Sequence, residues 1–177
     1  MRPIVLTMCL LAAACGRQDL ESPLSPASMP AGAEAQSQAK GGTDPPFSGT
    51  VSGTTRAAFP APGTLEITLN GGGHATHIGQ YEMTAVNTGT FPEPVATGPW
   101  VFTAADGSQL FAEIEARGEP IGEWTDRVTS VGKITGGTGR FASATGHFTA
   151  VFIATRDEST STGTFSGSFE GRLNLNQ

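Results

Sequence analysis

The stretch Trp100-Val101-Phe102-Thr103-Ala104-Ala105-Asp106-Gly107-Ser108-Gln109-Leu110-Phe111-Ala112-Glu113-Ile114-Glu115-Ala116-Arg117 decides the fold class. Asp106-Gly107 at its centre is a strong hairpin signal, because both residues tolerate the positive φ of a tight two-residue turn. After the turn, Leu110, Ala112, Ile114 and Ala116 alternate with Phe111, Glu113, Glu115 and Arg117. Side chains alternate across a strand, so this pattern gives one apolar face and one mostly charged face. Residues 100–104 and 109–117 therefore read as two antiparallel strands.

The same texture extends outward in both directions. Residues 47–55, 65–69, 74–85, 124–135, 148–155 and 165–175 form further short extended segments, separated by Gly, Pro, Asn or Asp. Gly71-Gly72-Gly73 is expected to break or turn the chain. Residues 148–155 are apolar enough to be buried on both faces, and Phe165, Phe169, Leu173 and Leu175 share one face. Eight evenly spaced segments predict an all-β domain, a small antiparallel barrel of about eight strands, with a sandwich as the alternative. Closure would hide the edge strands. The first and last segments are alike, Phe47-Ser48-Gly49 and Phe165-Ser166-Gly167, and a closed barrel could pair them.

Composition agrees. The 177 residues include 24 Gly and 12 Pro, which disfavours a helical bundle. Hydrophobic residues make up 37%, so disorder throughout is excluded as well. The net charge is -6 and no basic, aromatic-interleaved stripe exists, so no nucleic-acid partner is expected.

The chain opens with Arg2 followed by the apolar run from Ile4 to Cys15. That run has signal-peptide length and is too short to span about 30 Å of hydrocarbon as a helix. Leu11-Ala12-Ala13-Ala14-Cys15 resembles the lipobox of bacterial lipoproteins, although Leu stands one place earlier than usual. The resemblance implies cleavage before Cys15 and lipidation of its thiol, with residues 1–14 as the signal peptide. An ordinary secretory signal cut near Ala14 is the alternative. Both cysteines, Cys9 and Cys15, fall in this segment, so the remaining domain has neither thiol nor disulfide. A lipid-anchored protein of the bacterial cell envelope is expected, with the membrane as partner through that anchor. Gly16 stands where an Asp would resemble an inner-membrane retention signal, which favours the outer membrane. Residues 15–46 read as the lipidated Cys and a Pro- and Ser-rich flexible tether, with a local helix over 31–40 as the alternative. Residues 47–177 are the barrel domain.

The run Gly136-Gly137-Thr138-Gly139-Arg140-Phe141-Ala142 resembles a segment of exported bacterial proteins related to the allene oxide cyclase and dirigent barrels. Gly73-His74-Ala75-Thr76-His77-Ile78-Gly79 resembles another segment of them. The likeness extends over residues 47–174, but its specific motifs cover only about 20 residues. It implies an eight-stranded antiparallel barrel, in which Phe141, Ala142 and Ala144 tuck under one end as a short helical turn. Allene oxide cyclases and dirigent proteins use acidic residues in a barrel pocket. No motif here matches those residues, so their activity is not carried over.

Candidate site residues are few. His74 and His77 are three apart, which points them to opposite faces of a strand and argues against a metal pair. No metal and no cofactor are expected. Parity places His77 with Tyr81. Glu113 and Glu115 face water in the simplest reading. If their face instead lined a lumen, burial would raise their pKa and make an acid or base of either. Trp100 could line the same space. His77, Tyr81, Glu113, Glu115 and Trp100 are therefore the possible pocket residues. The functional expectation is a membrane-tethered barrel that binds a small apolar ligand or an envelope partner. An isomerase or cyclase using the barrel cavity, and a structural or adhesive surface domain, are the alternatives.

Overall fold

A computed structural model describes residues 44–90, 92–93, 95–157 and 159–175. The signal peptide, the lipidation of Cys15, the tether up to residue 43 and its alternative helix lie outside the described residues. The domain is a closed barrel of eight strands in chain order. They are β1 (Pro46–Ala61), β2 (Thr64–Ala75), β3 (Gly79–Thr90), β4 (Val95–Ala104), β5 (Gln109–Gly122), β6 (Thr125–Gly137), β7 (Thr145–Arg156) and β8 (Thr162–Asn174). Each strand is antiparallel to its neighbours, and β1 closes on β8 through pairs such as Gly49↔Phe169 and Gly53↔Phe165. The two Phe-Ser-Gly runs thus lie on the two strands of the seam, each paired with other residues of the facing strand.

Alternation sets the inside. On β5, Leu110, Ala112, Ile114 and Ala116 are buried while Glu113, Glu115 and Arg117 are exposed. Within the barrel, Trp100, Phe47, Phe102, Phe141 and Phe148 are all fully buried. The rings of Trp100, Phe47, Phe102 and Phe148 meet at centroid separations of 5.8–6.2 Å, and Phe169 joins them at 4.9 Å from Phe47. Glycines opposite the rings make this density possible. Phe47 pairs with Gly171, and Gly132 pairs with Phe148. A Cβ on Gly132 would lie 2.6 Å from the Phe148 ring.

Four sequence expectations change. Gly71-Gly72-Gly73 does not break the chain but lies inside β2. The inward Gly71 and Gly73 make room for Phe165 and Tyr81, whose ring end and hydroxyl would be 3.0 and 3.3 Å from added Cβ atoms. The turn comes later, at Thr76 to Ile78, where His77 has φ 66° and Gly79 φ 81°. Residues 74–85 are therefore two strands and a turn. On β7, Val151 and Ile153 face outward and are exposed, so that strand is buried on one face only. Phe141 and Ala144 are buried beneath the barrel end as expected, on a 3-10 turn at Gly139–Phe141, but Ala142 is exposed.

The first described residue, Asp44, the end of β8, and the β2–β3, β4–β5 and β6–β7 connections share one end, here the terminal end. The other four connections form the distal end.

Candidate functional site

The five residues singled out from sequence do not converge on one pocket. Trp100 is fully buried and donates its Nε1–H to Asn87 Oδ1 at 3.3 Å. Its neighbours are rings, so it fills the lumen and does not line a space within it. Tyr81 is buried as well, and its hydroxyl donates to the Thr50 carbonyl at 2.7 Å. Burial drives its phenol well above the ordinary value, so it stays a neutral donor. Glu113 and Glu115 are exposed on the outer face of β5, paired with Pro99 and Lys133 and with Thr97 and Val131. A lumen acid or base is not available from them. His77 lies in the β2–β3 turn, not in a strand, and its Nε2 is 3.1 Å from the Pro46 carbonyl. That contact braces the start of β1, so parity with Tyr81 does not apply. Among the described residues, no group of three or more His, Asp or Glu could hold a metal ion.

The terminal end is sealed by the Gly-Gly-Thr-Gly-Arg-Phe-Ala segment. Phe141 is fully buried, and the Arg140 guanidinium lies 4.7 Å from its ring centroid. Arg140 also donates to the Ile78 carbonyl at 2.8 Å and pairs with Asp106 at 3.2 Å. One side chain thus ties three connections together. The Ser108 amide, with the Arg140 charge behind it, holds the Asp106 carboxyl below its usual range. The glycines at 136, 137 and 139 therefore serve a structural turn. A Gly-rich nucleotide loop needs a helix after it, and here a single 3-10 turn leads directly into β7.

Two recesses open on the outside of the barrel, one on each flank of β1. The first has a volume of about 640 Å³ and is lined by Thr50, Ser52, His74, Gln80 and Tyr81 over the glycines of β2. The second, about 520 Å³, is lined by Pro46, Ser48, His147, Thr149, Glu170 and Arg172. Sequence reasoning missed both. The available signal was Gly72, an outward-phase glycine between hydroxyl-bearing strands. At the distal end, Phe59, Ile121 and Trp124 are exposed apolar side chains on the β1–β2 and β5–β6 hairpins.

No family model, curated protein or solved structure matches this chain.

Proposed function

We propose that the chain is an exported bacterial lipoprotein, held to the cell envelope through Cys15, whose barrel is a non-catalytic binding module working through its outer wall. The observation that carries the binding reading is where the room lies. Rings fill the lumen, while the recesses of about 640 and 520 Å³ open outward. Cavity chemistry of the cyclase kind needs a carboxyl inside an apolar pocket, and Glu113 and Glu115 stand in water. The likeness to allene oxide cyclase and dirigent barrels is proposed as one of architecture, without their chemistry.

The anchoring reading rests on the lipobox-like Leu11-Ala12-Ala13-Ala14-Cys15. In this reading residues 16–43 form a tether with about 30 Å of reach. A small apolar ligand is a second reading, supported by the exposed Phe59, Ile121 and Trp124. There the ligand would sit at the distal end, where half-buried Ile67, Val128 and Ala154 pack on the core.

Substituting Cys15→Ser tests the anchor: the variant is expected in the soluble fraction, and continued sedimentation with membranes would refute lipidation. Native mass spectrometry of the envelope-extracted protein separates the two binding readings. A co-purifying apolar molecule would favour the distal end over the wall.

A further inference from the structure

The two outer recesses have a chemistry in common. The first carries only hydroxyls, an amide and the imidazole of His74. The second carries one acid, Glu170, and one base, Arg172, beside His147 and two hydroxyls. The first recess holds no Asp, Glu, Lys or Arg, and the second sets Glu170 against Arg172. That balance argues against a phosphate or a polycation, which would need charge of a single sign. Apolar ligands are poorly served too. Pro46 is the exposed apolar side chain there, since Phe47 beneath it is fully buried.

The polar groups suit a hydroxylated ligand. Each Ser or Thr hydroxyl both donates and accepts, as a sugar hydroxyl does, and the Gln80 amide offers both functions. Arg172, which donates from one nitrogen to the Asp44 carbonyl at 3.0 Å, adds further N–H donors, and Glu170 a pair of acceptors. Ser and Thr side chains are short, so ordering them on binding costs little entropy compared with Lys or Arg. Between the recesses the wall continues in the same key: Thr50 pairs with Ser168, Ser52 with Ser166, and Thr54 with Thr164. Neighbouring strands are about 4.8 Å apart, and the recesses lie two to three spacings apart across the wall and about four residues apart along β1, on the order of 15–20 Å in all. One chain of sugars can reach both, and two weak sites joined by one ligand bind more tightly than either alone.

We propose that the β8–β1–β2 wall binds a neutral glycan chain, with the two recesses holding separate sugar units of it. The proposal rests on the outer-wall reading above and names its partner chemistry. In a cell envelope, the glycan strands of the wall polymer and a neutral surface polysaccharide share that chemistry.

The test is co-sedimentation of the detergent-extracted full chain with insoluble cell-wall glycan and, separately, with an insoluble neutral polysaccharide. Gln80 and His147 are both exposed, one in each recess. The Gln80→Ala, His147→Ala double variant is expected to melt with the parent and to bind at least tenfold more weakly. The Glu113→Ala, Glu115→Ala pair on β5, on the opposite wall, is expected to bind as the parent does. Binding to one polymer only identifies the source. Raising salt to 0.5 M should change binding less than about twofold, because screening acts on charge and not on hydroxyl contacts. Failure to sediment with either polymer would overturn the proposal, as would equal binding by parent and double variant or loss of binding in salt. If the parent fractionates with membranes yet binds no glycan, this inference fails while the anchor stands.

Discussion

A large ring opposite a glycine is the residue-scale rule of this interior, and it makes opposite predictions for two inward glycines. At Gly132 a new Cβ would lie 2.6 Å from Phe148 and 2.8 Å from the Ile114 methyl. At Gly118, in the inward phase of β5 near the distal end, a Cβ would meet nothing within 4 Å. Overpacking a filled core costs about 1–3 kcal/mol. A Gly→Ala change without strain gains about 0.4–1 kcal/mol by narrowing the unfolded ensemble. Chemical denaturation should therefore show Gly132→Ala destabilised and Gly118→Ala neutral or stabilised. Equal losses at both sites would contradict the ring-for-glycine rule. Tyr81 makes a second prediction at this scale. Its folded pKa lies above the unfolded value of about 10, so its contribution is intact below pH 10. Above that pH the unfolded chain releases the phenolic proton first, and stability falls as pH rises. Tyr81→Phe should flatten this alkaline loss, and it should cost about 0.5–1.5 kcal/mol at neutral pH through the lost bond to Thr50. Because the chain holds one tyrosine, phenolate absorbance in the folded state reads the site directly. Ordinary titration near pH 10 would show that the hydroxyl is not held.

At the scale of elements, the connections at the terminal end act as a unit through Arg140. It touches the Ile78 carbonyl, Asp106 and the Phe141 ring, and these belong to three different connections. Arg140→Ala should cost about 1–2 kcal/mol, discounted because the side chain is partly exposed. Amide exchange should quicken around Ile78 and Ser108 and stay unchanged at the distal hairpins. A uniform change along the chain would show that the contact does not latch this end. These elements also mark what local reading can reach. The Asp106-Gly107 hairpin, the strand alternation, the β1–β8 seam and the buried Phe141 turn all follow from neighbours in sequence or from likeness between segments. The glycine triplet of β2 does not. Its inner members are explained by Phe165 and Tyr81, which reach them only once the barrel has closed. Alternation likewise shows that Trp100 and Tyr81 face inward, but not whether the inside is empty or full. The fill depends on rings from five strands meeting glycines, and that is a non-local fact. The outer recesses were hidden for the same reason, since β1, β2, β3, β7 and β8 build them together.

Over the whole molecule, closure is the step on which everything else depends. Residues 46–56 of β1 pair with 162–172 of β8, so the seam joins the two ends of the domain. Contacts of such long sequence separation place folding in the slow range for small domains, about milliseconds to seconds. Before the seam forms, β1 and β8 are unpaired edges rich in Thr and Phe, open to pairing with other chains. The pairing extends past β1 itself: Leu173 donates to the Pro45 carbonyl, Arg172 to the Asp44 carbonyl, and Asn174 to the Asp44 carboxylate. Asp44 is therefore part of the seam. A chain starting at Asp44 is expected to unfold in one cooperative transition at the same denaturant midpoint as the full-length protein. A chain starting at Thr54 lacks Phe47, Gly49 and Val51, removes the β1 partners of residues 165–172 on β8, and should lose that transition and aggregate. If the shorter chain unfolded as cooperatively as the longer one, the seam would not be what holds the barrel shut. If instead the Asp44 chain lost its transition, residues before the barrel would belong to the fold, and the tether proposed to reach Cys15 would be too short to serve as one.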